Sequence, residues 1–327
     1  MPASIERLGG GFVRAGNWVF GTGLREADAQ VLFRRMSQAL EKAGSSMARV
    51  ARLDQYYPHA DCVPPYHQAR KQAFGPGQIA PSTSVIVTGL QEPHARMDVQ
   101  VIAATEASGY RPRPVQAGLN RPDASGYTPV LRVGDLLFVA GQLARDAAGR
   151  LAVRGTAAET EYQIEERLLP ALQAAQSGLD LVLKAQVYLS RPQERPAFER
   201  AWTRAFNGRV PPTTIVGLRH PAFLTADATV EINVVAAHGS ARGRIRTTES
   251  ARILDGLLFA SGFEGGNMTA ILEGARQVFA AAGTDLSNVV RALVFRAKEE
   301  VLPESGMPST VVEVQSGLTV DLWGYVP

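Results

Sequence analysis

The sequence predicts an α+β protein built from three tandem units, each a mixed sheet with helices packed on one face. Three observations carry this prediction. A short apolar strand ending in glycine occurs three times at near-constant spacing, an amphipathic helix follows it each time, and each copy closes on a strand that carries one acid. A length of 327 residues would ordinarily divide into two domains, so the repeat revises that count to three.

The opening strands are NWVFGTG, DLLFVAG and GLLFASG, ending at Gly23, Gly141 and Gly262, which lie 118 and then 121 residues apart. An apolar run that stops at glycine reads as a strand entering a tight turn. Helical stripes follow at Val31, Leu32, Met36, Leu40 and Ala43, at Ile164, Leu168, Leu172 and Ala175, and at Ile271, Leu272, Ala275, Val278 and Phe279. Their i, i+3, i+4 spacing matches the helical period. Gly44 and Gly283 stand where a helix C-cap favours glycine, with Gln176 at the equivalent place in the second copy.

The next strand has a basic residue near its start: VARLDQYY, VLKAQVYL and VVRALVFR. A second helix is expected from Tyr66 to Phe74 and from Phe198 to Phe206, but the third copy has only KEEVLPESG at that place. A Pro-x-Thr strand comes next (PSTSVIV, PPTTIVGL, PSTVVEV), and the acidic strand closes each unit at Asp98, Glu231 and Asp321. Breaker-rich stretches at 108–123 and 238–248 read as linkers. The expected units are therefore residues 1–107, 123–238 and a shortened 248–327.

Composition narrows the function classes. The 34 basic and 31 acidic residues are interspersed, which describes a solvated surface and not a nucleic-acid footprint. No run approaches the ~20 apolar residues of a membrane span. One cysteine, Cys62, and the lack of a charged-then-apolar leader lead to the expectation of a cytoplasmic protein. His59, Cys62 and His67 fit no tetrahedral zinc spacing, so no metal is expected. The glycines at Gly9–Gly11 and in FEGGN lack the spacing and the lysine of a phosphate loop.

The second unit reads GYTPVLRVGDLLFVAGQLARDAAGRL, a helix, VLKAQVYL, F-x-x-x-W-x-x-x-F, then P-P-T-T and V-E-I. In order and spacing it resembles the Rid family (YjgF-type, reactive-intermediate deaminases) over most of residues 123–237. Residues 1–105 match more loosely, and 245–327 match as a shortened version. The resemblance implies a chorismate-mutase-like α+β fold that ordinarily forms a homotrimer with pockets between subunits. Three such modules in one chain imply a pseudo-trimer, monomeric or in a low-order homo-oligomer, with its pockets between units. Family members hydrolyse imines or enamines to a keto compound and ammonia without metal or organic cofactor. The expected partner is thus a small anionic substrate, with no nucleic acid or membrane.

The resemblance also implies site residues. The family's carboxylate-gripping Pro-x-Arg arginine falls at Thr83, Thr213 and Thr310, so it is absent from all three units. The family's acid falls at Glu231, with Asp98 and Asp321 as shorter equivalents, and a carboxylate there can manage water and protons. Gly23, Gly141 and Gly262 match a glycine whose N–H faces substrate, and Tyr127 matches a pocket aromatic. The pocket asparagine is replaced by His67 and Glu199. Arg25 and Arg145, just beyond two of the glycines, are the candidate replacement cations, with Arg14 and Arg132 next. The expected activity is cofactor-independent deamination of an enamine or imine on a small conjugated acid, of the 2-aminomuconate type. The alternative is a non-catalytic binding protein that lost the chemistry together with the arginine.

Overall fold

The computed structural model describes residues 5–75, 79–119, 126–225, 227–297 and 307–327. The first sheet holds β1 (Ile5–Gly9), β2 (Phe12–Ala15), β3 (Trp18–Glu26), β4 (Val50–Tyr57), β5 (Ser82–Ile86) and β7 (Met97–Ala104), while β6 (Gly89–Leu90) lies elsewhere. Its order is β1-β2-β3-β7-β4-β5, antiparallel except for the parallel β4–β5 pair. The second sheet runs β8 (Arg113–Pro114), β9 (Val130–Val133), β10 (Leu136–Gln142), β13 (Val230–Ala237), β11 (Val182–Leu189), β12 (Thr213–Gly217). The third runs β14 (Arg246–Thr247), β15 (Ala251–Leu254), β16 (Leu257–Ala260), β20 (Leu318–Tyr325), β18 (Val289–Arg296), β19 (Ser309–Glu313), and then β6; β17 (Phe263–Glu264) pairs with β20. The same strand order therefore occurs three times in one chain. The proposed linkers contribute edge strands β8 and β14, so they are docked against the sheets.

Helices cover the outer face of each sheet. On the first, α1 (Ala29–Lys42) is capped by Asp28, which accepts from the N–H groups of Gln30 and Val31, and it buries Leu32, Phe33, Met36 and Leu40 beside α2 (Val63–Phe74). The second sheet carries α3 (Thr156–Tyr162), a π-helical turn (Gln163–Leu168), α4 (Leu169–Ala174) and α5 (Arg195–Ala205). The π turn has a local cause. Pro170 cannot donate to the carbonyl four residues back and its ring crowds that carbonyl, so the preceding turn widens. The third sheet carries α6 (Met268–Ala281). The stretch 298–306, expected to replace a second helix there, lies outside the described residues, as do linker residues 120–123. Gly44 and Gly283 are left-handed after their helices, and Gln176 adopts the same conformation with φ 56°. No helix among the described residues is long and apolar enough to cross a membrane.

Gly23, Gly141 and Gly262 do not end their strands in turns. Each lies in a β-bulge, with one extra residue against β7, β13 or β20, and pairing resumes beyond it. A bulge takes a residue out of the ladder and can aim its N–H away from the sheet. Gly23 N–H donates to Thr310 Oγ1 (2.8 Å) and Gly262 N–H to the Thr213 carbonyl (3.0 Å), both on a neighbouring sheet.

The registers also correct two equivalences. In the parallel pairs, Asp54 faces Thr83, Gln186 faces Thr214 and Leu293 faces Thr310. The residue matching Thr83 and Thr310 is therefore Thr214. Thr213 is one position off and points to the opposite face, where it meets the indole N–H of Trp202. Tyr56 faces Asp98 and Tyr188 faces Glu231, whereas Phe295 faces Thr319. Asp321 thus stands two residues along, level with Gln100 and Asn233, and the third sheet has Thr319 where the others have an acid. A two-residue slip keeps the same face, so the alternating pattern conceals it.

The inner faces of the three sheets pack on one another. Phe20, Phe138, Phe259 and Trp323 belong to one shared apolar cluster, and Tyr56, Tyr188, Phe295 and Val312 belong to another. Alongside these clusters the sheets share a buried polar network. Arg52 holds Asp54 by Nε and Nη2, Arg291 bridges Asp54 and Asp321 at 2.9 Å each, and Lys184 Nζ is 2.6 Å from Asp321. Thr214 donates to the same carboxylate at 2.8 Å. Because Asp321 neutralises cations from two sheets, Asp321→Asn should lower unfolding free energy by about 3–5 kcal/mol, the usual cost of stranding buried charge. Urea denaturation measures it; a loss under 1 kcal/mol would contradict the assignment.

Candidate functional site

The sheets meet at three like junctions, where the glycine bulge of one lies against the threonine of the next. Gly23 meets Thr310, Gly141 meets Thr83, and Gly262 meets Thr214. A side chain would crowd its neighbour at each bulge: a Cβ on Gly141 would lie 1.8 Å from Glu231 Oε1, and one on Gly262 would lie 3.0 Å from Thr214 Cα. The bulges thus bring the neighbouring polar group against bare backbone.

The three predicted acids fare differently. Asp321 is held in the network with Lys184 and Arg291; although burial alone would raise its pKa, those cations hold it below the usual carboxylate range. Asp98 is fully buried, accepts from Arg25 Nε at 2.8 Å and from Thr310 Oγ1 at 3.2 Å, and is pushed up to about 6 by burial against that opposing pull. Glu231 is buried but makes no hydrogen bond or ion pair among the described residues. Burial raises it to about 8, with the charge of Asp54 adding to the shift and those of Arg145 and Arg52 opposing it. Of the three, Glu231 is the neutral, uncommitted acid at neutral pH.

Other side chains gather around Glu231. Half-buried Tyr127 has its hydroxyl pKa raised by burial and lies within electrostatic reach of Arg145, Glu231, Arg167 and Arg70. Tyr127 is seated by a parallel bridge to Ile79, and Thr128 N–H donates to the Ile79 carbonyl at 2.8 Å. Arg145 Nε donates to Thr225 Oγ1 at 2.7 Å. Arg167, on the π turn, donates to Gln142 Oε1 at 3.2 Å, and Arg70 of α2 donates to Ser82 Oγ at 3.0 Å. Thr83 Oγ1 accepts from Asn233 Nδ2 (2.9 Å) and Arg52 Nη2 (3.2 Å), which leaves its own proton for an acceptor near Gly141. The junction therefore sets a threonine hydroxyl proton and arginine side chains near a neutral carboxylic acid.

Of the predicted set, Glu231, Gly141, Thr83, Tyr127 and Arg145 come together here. Arg25, Asp98, Gly23 and Thr310 form a second group between the first and third sheets, and Gly262 and Asp321 adjoin Thr214 at the remaining junction. Arg14 and Arg132 are surface partners of Glu6 and Asp135, and Glu199 is paired with Arg195. His67 is half-buried, and burial together with Arg70 and Lys71 depresses it to about 3. Sequence reading missed Arg167 and Arg70, which lie on helices with no motif to mark them. It recorded the recurrent basic residue now seen as Arg52, Lys184 and Arg291 without giving it a role. Among the described residues no His, Cys, Asp or Glu cluster could hold a metal.

Comparison with known proteins gives a family for part of the chain. Residues 118–238 match the family model described as Endoribonuclease L-PSP. Protein HMF1 of Saccharomyces cerevisiae is 26% identical over 114 residues, covering 35% of this chain and 85% of that protein. A RutC family protein of Saccharolobus solfataricus is 28% identical over 110 residues, covering 34% of this chain and 85% of that one. Among solved structures, a chorismatase shares the fold across 72% of this chain and 80% of its own, with a TM-score of 0.55 at 16% identity.

The state of Glu231 fixes a stability profile. Its folded pKa, about 8, exceeds the ordinary value of 4.5. The stability it contributes is full below pH 4.5 and is lost as pH rises through 8, at about 1.4 kcal/mol per unit. Glu231→Gln should remove this dependence and be more stable than the parent at pH 8.5, as thermal melts from pH 5 to 9 would show. Parallel profiles for the two proteins would refute a raised pKa.

Proposed function

The central third of the chain, residues 118–238, belongs to the Rid (YjgF/RutC) family, and on that premise we propose that the protein is a cofactor-independent hydrolytic deaminase of an enamine or imine on a small conjugated acid. The three like sheets are read as three Rid-type units in one chain, with the working cleft between the first two. The observation that carries the proposal is Glu231, a neutral carboxylic acid held against Gly141 beside Arg145 and Tyr127.

Arg145, whose Nε and Nη2 are turned to Thr225 Oγ1, takes a substrate carboxylate through the N–H donors at the Nη1 end of its guanidinium, and Arg167 and Arg70 extend the cationic wall. That wall favours a dicarboxylate of the 2-aminomuconate type. Glu231 protonates the enamine carbon and leaves an iminium. As a carboxylate it then takes a proton from the water that attacks the C=N carbon. It returns that proton to the amine of the carbinolamine and recovers the hydroxyl proton as ammonia leaves. The sum is enamine plus water to ketone plus ammonia, with Glu231 protonated at both ends. Thr83 donates its hydroxyl proton to orient the substrate.

A second reading uses the same acid and the same arginines. Chorismate, the compound in the name of the chorismatase, is a dicarboxylate bearing an enol ether, and a neutral acid that protonates an electron-rich alkene also suits it. The product would then be pyruvate in place of ammonia.

Turnover of a freshly generated 2-aminomuconate-type enamine and of chorismate, followed by ammonia and pyruvate release, separates the readings. Glu231→Gln should cut kcat by about 10²-fold or more, and kcat should fall as pH rises through about 8, because the protonated acid is the working form. Arg145→Gln should mainly raise KM. Binding of both compounds with no turnover would leave a non-catalytic binding protein, and full activity in Glu231→Gln would overturn the mechanism.

A further inference from the structure

In each sheet the strand with the Pro-x-Thr motif comes last among its own unit's strands: β5, β12 and β19. Such a strand pairs on one side and turns alternate N–H and C=O groups away from the sheet. On two of the three, a segment from another sheet covers those groups. Ile86 N–H of β5 donates to the Ala222 carbonyl at 2.9 Å. The strand β19 pairs antiparallel with β6, and Thr88 N–H donates to the Glu313 carbonyl at 3.0 Å. The covering segments come from the connections that follow β5 and β12, which span ten residues (87–96) and twelve residues (218–229). The connection after β19 has only four, 314–317, and among the described residues no strand pairs with the outer edge of β12.

The register shows which groups β12 leaves open. Ala185 N–H donates to the Pro212 carbonyl at 2.9 Å and Leu218 N–H to the Leu189 carbonyl at 2.8 Å, so Thr214 and Val216, in step with them, face β11. Thr213, Ile215 and Gly217 therefore turn their backbone outward. The Thr213 carbonyl accepts from Gly262 N–H. Gly217 faces Leu189 as Ile86 faces Tyr57 and Glu313 faces Arg296, so it is the counterpart of the two covered positions. Among the described residues, the outward groups of Ile215 and Gly217 make no such bond.

Nothing in the strand blunts this edge. The run TTIVG has no charge, no proline and no bulge, and Ile215 is half-buried. Cations stand beyond both ends. Arg209 and Arg219 are exposed and form no ion pair among the described residues, whereas Arg191, Arg195 and Arg204 are each paired with a glutamate. These flanks decide between occupants. A second copy pairing two-fold about Ile215 would run antiparallel and bring the Arg209 end of each strand to the Arg219 end of the other, like charge on like. An extended peptide with an acid at each end meets a cation at each end instead.

We propose that the β12 edge is a strand-addition site for an extended, acid-flanked segment of a partner protein. The backbone of Ile215 and Gly217 supplies the ladder, and Arg209 and Arg219 select the charge of the incoming segment.

The probe is a labelled, blocked peptide, DETVTVTED, titrated with the full chain and followed by fluorescence anisotropy. One equivalent should bind, and the basic-ended counterpart KRTVTVTRK should bind about tenfold more weakly. Arg209→Glu combined with Arg219→Glu should reverse that preference. Ile215→Pro removes an outward N–H without removing a bond to β11, and it should weaken DETVTVTED about tenfold or more. Because a proline could disturb the strand, the charge reversal at two exposed side chains is the independent test. Failure of DETVTVTED to bind, equal binding of the two peptides, or a preference unmoved by the charge reversal would overturn the proposal. So would a dimer of the parent chain in sedimentation that Ile215→Pro dissociates, since the edge would then belong to a second copy.

Discussion

Arg291 reaches from the third sheet to Asp54 on the first while holding Asp321 on its own sheet, and Lys184 reaches Asp321 from the second. Two carboxylates thereby connect cations from all three sheets, deep among apolar clusters that the sheets also share. Hydrophobic contact alone would bring these faces together in several registers, because it is non-directional. Ion pairs at 2.6–2.9 Å are directional and costly to leave unmade, so they admit few arrangements. The junctions inherit that precision, because each is bounded by strands that also carry network residues.

The network also decides which acid is available. Asp321 lies among Lys184, Arg291 and Thr214 and works as a structural anion. Asp98 is held by Arg25 and Thr310. Glu231 sits where its nearest network neighbours are Asp54, which opposes its ionisation, and Arg52, whose Nε and Nη2 are already given to Asp54. Burial outweighs the remaining attraction of Arg145, and the carboxyl stays neutral. The contrast between junctions therefore comes from the partners already supplied to each acid, and not from the acids themselves.

Much of this organisation was legible in the sequence. Strand and helix periodicities located the elements, and the spacing of Gly23, Gly141 and Gly262 marked the repeat, although the sequence reads these glycines as turns and the structure places them in bulges. What escaped did so for geometric reasons. Two adjacent threonines follow two adjacent prolines in PPTTIVGL, and only the pairing of Gln186 with Thr214 shows which hydroxyl faces inward. The acidic strand of the third copy has one acid on the correct face but the wrong rung, and a period of two cannot distinguish rungs. The recurrent cations Arg52, Lys184 and Arg291 show in the sequence only as a basic residue near the start of each strand. Their burial depends on a second sheet that no local pattern reveals. Arg167 reaches the site through a π turn ahead of Pro170, and helical periodicity offers no sign of that turn.

A symmetric trimer of identical chains must repeat every substitution three times, so it cannot lock one cleft and leave another reactive. With three like sheets in one chain, Arg25 can grip Asp98 at one boundary while Arg145 stands near an uncommitted Glu231 at the next. The third sheet can also move its acid to the rung of Asp321, where it secures the assembly in place of acting on a ligand. The stability cost of keeping a neutral, unpaired carboxyl at Glu231 is then incurred once, while Asp98 and Asp321, both paired, hold the surrounding frame.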